Sequence, residues 1–152
     1  MSTLFSRQCE YALQSVMYLA LKKNGHATSA RELTEHLDIP YHFLAKILQK
    51  LTQVGVLSSR KGPGGGFTLG NQAEEITLLA VIEAIDGTGF EVNCVLGFEE
   101  CSRTRPCALH DQWSQSRELI KAMLAGNTVA QMAGRMQKPQ YRKAIALGRI
   151  PA

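Results

Sequence analysis

Four glycines and a proline crowd into six residues, Lys61-Gly62-Pro63-Gly64-Gly65-Gly66, between two short strand-like pieces at 56–60 and 67–69. Glycine adopts positive-φ conformations that other residues avoid, and proline offers no N–H to a helix or a sheet. The run therefore predicts a tight turn, and the two flanking pieces close on each other as a hairpin.

Helical patterns precede this hairpin. Residues 6–22 carry apolar positions at Tyr11, Ala12, Val16, Leu19 and Ala20, with Ser6 placed to cap the N-terminus and Asn24-Gly25 to end the run. Ser29-Ala30-Arg31-Glu32 reads as a capping box, which opens a short helix over 30–37. Pro40 starts a third helix at its first position, running over 40–54. Its apolar residues Leu44, Ile47, Leu48, Leu51 and Val54 lie on one face, and Tyr41, His42, Lys46, Gln49 and Lys50 lie on the other. Three short helices and a Gly-rich hairpin predict a mainly α chain built on a winged helix-turn-helix, with 40–54 as its recognition helix. Beyond it, an apolar helix is expected over 77–86, a loop over 88–106 and a long helix over 107–124. Thr128 is placed to cap a short last helix, and a basic, mobile tail is expected from Gly134 on.

The expected loop holds Cys94, Cys101 and Cys107, and His110 follows three residues later. Thiolates are soft ligands that suit iron–sulfur clusters, zinc and copper(I). The N-terminus lacks the apolar core and cleavage site of a signal peptide, and no run of about 18 apolar residues is present. A cytoplasmic chain is expected, away from membranes. There thiols stay reduced, so clustered cysteines point to metal binding more than to disulfides. The remaining cysteine, Cys9, reads as a plain helix residue.

The net charge of +4 is unevenly spread. Residues 1–70 carry eight Lys/Arg against four Asp/Glu, residues 71–110 two against seven, and residues 111–152 seven against two. A basic N-terminal half is compatible with a polyanion such as DNA. No catalytic dyad or second cofactor motif is present. The glycine run lacks the GxxxxGK-Ser/Thr pattern of a nucleotide-binding loop, so no enzyme is expected.

The stretch IPYHFLAKILQKLTQVGVLSSRKGPGGGFTLG, followed by three cysteines in the order found here, resembles the Rrf-two family of bacterial regulators. The segment CALHDQW is most similar to its IscR-like branch. The resemblance spans about residues 4–130. It implies a homodimeric winged-helix transcription factor, repressor or activator, on a pseudo-palindromic double-stranded DNA site. It also implies an iron–sulfur cluster, 2Fe–2S favoured over 4Fe–4S, that senses redox state, nitric oxide or iron–sulfur supply. Cys94, Cys101 and Cys107 are then metal ligands. His110 and Glu10, the latter from the partner subunit, are both candidates for the fourth.

The division expected is a DNA-binding domain at 1–86, a cluster-binding loop at 87–106, a dimerisation helix region at 107–133 and a tail at 134–152. Trp113 and the stripe Leu109, Ile120, Met123 and Leu124 suggest a second subunit. On the recognition helix, Tyr41, His42 and Phe43 are expected nearest the bases, with Lys46 behind them. Lys50 and Lys61 are expected on phosphates. In the wing, Ser59, Gly64 and Gly65 are expected at the backbone, and Arg60 in a narrow minor groove. Other readings of the same residues are a zinc-stapled module, a cluster-free thiol- or small-molecule-responsive regulator, and an electron carrier.

Overall fold

The computed structural model describes residues 4–22, 25–70, 73–99 and 101–141. Seven helices and one hairpin follow in chain order among these residues: α1 (Arg7–Leu21), α2 (Ala30–Leu37), α3 (Tyr41–Gln53), β1 (Leu57–Arg60), β2 (Gly66–Leu69), α4 (Leu78–Asp86), α5 (Gly89–Val92), α6 (His110–Ala125) and α7 (Val129–Met136).

Local chemistry starts most of the helices. Ser6, Ser29, Thr77 and Thr128 each accept a backbone N–H of the first turn through the side-chain oxygen, satisfying a donor that has no partner within the helix. At Thr128 the box is reciprocal, because the Gln131 side chain returns to the Thr128 N–H at 3.0 Å. At Ser29 the structure takes a different course from the expected box. The Glu32 carboxylate is held by Lys22 at 2.5 Å and by the Tyr18 hydroxyl at 3.4 Å, so only the serine arm caps the helix. Pro40 is the N-cap of α3 rather than its first residue.

α1 is the central helix and packs against α4, α7 and α3. Its Cys9, Ala12, Val16 and Tyr18 enter one core with Leu33 and Leu37 of α2, Leu44, Leu48 and Leu51 of α3, and Val81 and Ile82 of α4. The hairpin pairs Leu57 with Leu69 and Arg60 with Gly66. Thr28 pairs on the other edge of β2, with its N–H donating to Phe67 O at 3.0 Å and the Phe67 N–H returning to Thr28 O at 2.8 Å. The segment between α1 and α2 is thereby stitched to the wing. A second stitch joins the start of α4 to the start of α7, through Leu78 N–H to Asn127 O at 3.0 Å and Val129 N–H to Ile76 O at 2.8 Å.

Three expectations need correction. The expected loop at 88–106 begins with the helical turn α5, closed by Asn93 N–H to Gly89 O at 2.8 Å. The helix expected from 107 starts at His110, because Cys107 O is used in a single turn by the His110 N–H at 3.0 Å and Leu109 is the N-cap. Gly134 is not the start of a tail. It lies inside α7, whose Val129 and Ala133 join the core, and Pro139–Tyr141 forms one further 3-10 turn. The remaining tail residues, and Asn24 at the expected end of α1, lie outside the described residues.

Candidate DNA-binding surface and cysteine site

α3 presents Tyr41, His42, Lys46 and Gln49 to solvent, because its apolar stripe Leu44, Ile47, Leu48 and Leu51 is fully taken by the core. Two residues expected among them point elsewhere. Phe43 is half-buried and packs edge-on against Tyr11, with ring centroids 5.7 Å apart. Lys50 is exposed along its stem, yet its Nζ donates to the Ile85 carbonyl at 2.7 Å. That carbonyl belongs to the last turn of α4, where helices have acceptors without intrahelical donors. Lys50 therefore caps a neighbouring helix in addition to whatever it offers solvent.

In the wing, Ser58, Ser59, Arg60, Lys61 and Gly64 are exposed. The turn is tight: a Cβ on Gly65 would lie 2.3 Å from Arg60 O, and Gly62 and Gly64 have φ of +91° and +72°. Only glycine fits such contacts and angles without strain. The Gly-rich run thus draws the backbone into a narrow tip, with Arg60 at its base.

Four of the five ligand candidates lie between the end of α4 and the first turn of α6. Cys94 and His110 are buried, at 8% and 7% exposure, and Cys101 and Cys107 are half-buried. They form two pairs. Cys94 Sγ lies 3.8 Å from Cys107 Sγ, and Cys101 Sγ lies 3.5 Å from His110 Nδ1. Two thiolates on one tetrahedral metal, with metal–sulfur bonds of about 2.3 Å, are about 3.8 Å apart. A thiolate and an imidazole nitrogen at about 2.0–2.1 Å from the same metal are about 3.6 Å apart. Each pair therefore has the edge length of a tetrahedral site. Among the described residues, however, no three His, Cys, Asp or Glu side chains converge on one point as ligands of a single ion.

The Cys94 thiol is held below the usual cysteine range, first by the Leu96 N–H, then by those of Phe98 and Gly97 and by Cys107, against the opposing effect of burial. Backbone donors of this kind stabilise sulfur in its charged, ligating form. Cys9 is the contrast: burial, with the negative charges of Asp86 and Glu10, pushes its thiol up to about 12. It is inert at neutral pH. Glu10, the other candidate ligand, is on α1 with its carboxylate 3.4 Å from Arg7 of the same chain.

The loop is wired to the rest of the fold at three points. Trp113 Nε1 donates to Asn93 O at 3.0 Å, and Lys121 meets Glu91 at 2.6 Å, so α5 is fastened to α6. One residue after Ile85, Asp86 accepts from the Ser6 N–H at 2.8 Å and from the Ser6 hydroxyl. The end of α4 thus touches α3 through Lys50, the start of α1 through Ser6, and the cysteine loop through the chain itself. Sequence reasoning missed Asp86, Ser6 and Ile85 as a junction. The only signal was an acidic residue just before the helix-ending Gly87.

Comparison with known proteins bears on the family and the fold. The family model described as Rrf2, iron-dependent transcriptional regulator, matches residues 5–135. An HTH-type transcriptional regulator of Aquifex aeolicus is 34% identical over 129 residues, covering 83% of this chain and 88% of that protein. The transcriptional regulator IscR of Serratia proteamaculans is 30% identical over 122 residues, covering 80% of this chain and 74% of that protein. Among solved structures, CymR, the global cysteine regulator of B. subtilis, is similar with a TM-score of 0.73 at 24% identity, covering 89% of this chain and 98% of that one. IscR of T. potens is similar with a TM-score of 0.72 at 18% identity, covering 89% of each. Among the described residues no helix is long and apolar enough to cross a membrane.

Proposed function

We propose that this chain, which belongs to the Rrf2 family of iron-dependent transcriptional regulators, is a homodimeric DNA-binding regulator whose promoter affinity is set by an iron–sulfur cluster. Relatives of the chain are transcriptional regulators and not enzymes.

The observation that carries the cluster is the pairing of donors. Two edges of tetrahedral length, one made of Cys94 and Cys107 and one of Cys101 and His110, suit a two-iron group better than a single zinc ion. His110 is favoured as the fourth ligand because it is buried beside Cys101, whereas Glu10 is engaged with Arg7. When bound, a 2Fe–2S cluster supplies a centre that oxidants and nitric oxide attack.

The chain's own residues supply the rest. Asn93 and Glu91 hold the loop to α6, Asp86 holds it to α1, and Lys50 holds the recognition helix to the same helix end. A reordered loop therefore pulls on α3 through one turn of α4. A coupling of about 1.4 kcal/mol changes DNA affinity tenfold. The second copy is supported by α6, which leaves Leu119 at 74% and Met123 at 57% exposure, four residues apart on one face. Two recognition helices related by a two-fold axis then address half-sites about one helical turn apart. The working division is 1–86 for DNA, 87–106 for the cluster loop and 107–136, through the end of α7, for the dimer.

One further reading has its own observation. The 3.8 Å separation of the Cys94 and Cys107 sulfurs also suits a thiol pair that an oxidant such as peroxide would join, with loss of two protons and two electrons. Anaerobic purification separates the two. Brown protein with two irons and two sulfides per chain, lost in the Cys101→Ala variant, supports the cluster. Colourless protein whose DNA affinity follows a Cys94–Cys107 disulfide overturns it.

A further inference from the structure

A polar cleft of about 230 Å³ opens beside the wing, at the side of the segment that joins α1 to α2. One wall is the hairpin, through Ser58, Ser59 and Arg60, and the other is the connector, through His26. The two walls cannot drift apart independently. Thr28 and Phe67 exchange both backbone hydrogen bonds, and a Cβ on Gly66 would lie 2.4 Å from Thr28 O. The cleft is lined by a guanidinium, an imidazole and hydroxyls, with no carboxylate among its lining residues. The acidic side chain that begins α2, Glu32, is already paired with Lys22 at 2.5 Å. Arg60 and His26 are both exposed, so their donors are available to a ligand.

We propose that this cleft is a seat for a backbone phosphate of duplex DNA, gripped by His26 from the connector and by Ser59 and Arg60 from the wing. The ligand chemistry follows from the lining: a guanidinium, an imidazole and hydroxyls able to donate, with no carboxylate and a rigid frame, suit a tetrahedral oxyanion. The inference rests on the DNA-binding reading and adds a contact from outside the helix-turn-helix and the wing. A wing that enters a groove has a sugar–phosphate strand beside it, and the connector wall is where that strand would lie. His26 then positions the duplex without reading its sequence.

The test is fluorescence anisotropy with a labelled random-sequence duplex of about three helical turns, at fixed salt. His26→Ala is expected to weaken binding about three- to tenfold, by the same factor for every sequence, and His26→Glu by more than tenfold. His26→Gln, which keeps a donor, should restore most of the loss. Arg60→Ala should weaken binding too, by a similar factor. If His26→Ala and His26→Glu bind as the wild type while Arg60→Ala is weakened, the seat is wrong and the DNA reading stands. If Arg60→Ala is also unchanged, the wing itself does not touch DNA. Circular dichroism on each variant checks that the exposed substitutions leave the fold intact.

Discussion

Replacing Lys50 with methionine separates two roles that the sequence alone merges. The residue lies on the polar face of the recognition helix, where a lysine is expected to meet phosphate. The structure instead puts its Nζ 2.7 Å from the Ile85 carbonyl, at the last turn of α4. A hydrogen bond from a charged donor contributes about 1.5–3 kcal/mol, and the lower end applies to an exposed side chain. A cation at a helix C-terminus adds about 0.3–1 kcal/mol. Methionine keeps the stem and removes both, so a loss of about 2 kcal/mol is expected. For a chain of this length that lowers Tm by roughly 4–8 °C. DNA binding should retain its salt dependence, because no phosphate contact is removed. Were Lys50 a phosphate ligand, the slope of log affinity against log salt would fall by about 0.9 per protomer. Lys46→Met, one turn earlier and exposed, should show the reverse: a shallower slope and an unchanged Tm. Thermal unfolding and salt-titrated anisotropy on both variants decide the matter. A Lys50→Met protein with wild-type Tm and a slope reduced by about 0.9 per protomer would refute the clamp.

Gly66→Ala should lower stability by about 3 kcal/mol in urea unfolding, because the residue has φ +144° and its Cβ would force Thr28 from Phe67. Amide exchange at Phe67 should quicken, and persistent protection there would show that the stitch survives. Cys9 makes stability fall with alkali: its thiol ionises near 9 unfolded and at about 12 folded, so the contribution is complete below pH 9 and is lost as pH rises towards 12. The expected slope is roughly 1 kcal/mol per pH unit in that window, and Cys9→Ala should flatten it. Leu119→Glu should leave circular dichroism unchanged and yield monomers in sedimentation; a dimer that persists removes α6 as the contact.

The DNA-binding half was largely legible in the sequence because its signals are local. Ser6, the Ser29 cap, the α3 stripe and the glycine run each act within a few residues, through caps, helical periodicity or forced turns. The cysteine loop was legible as chemistry but not as geometry. Nothing in the spacing of Cys94, Cys101, Cys107 and His110 says that they meet as two pairs, since that depends on how residues 94–98 fold around the Cys94 sulfur. The start of α6 was misplaced because the apolar spacing does not show that Cys107 O is used by a preceding turn. The partners of Lys50 and Phe43 within the fold were not legible for a related reason. Helical periodicity places a residue on a face but does not name the neighbour that the face will meet, and that neighbour is far along the chain.

The stitch between the starts of α4 and α7 has one more consequence. It returns the chain to the core beyond α6, so the cysteine segment leaves from one fixed post and its exit is tethered to another. In a loop of about twenty residues held this way, one added residue changes closure entropy by only about 0.04 kcal/mol. Insertions and deletions of single residues at exposed positions of that segment therefore cost little in chain closure. On the proposed function, the segment can therefore change in length over generations while α3 and the hairpin are inherited unchanged.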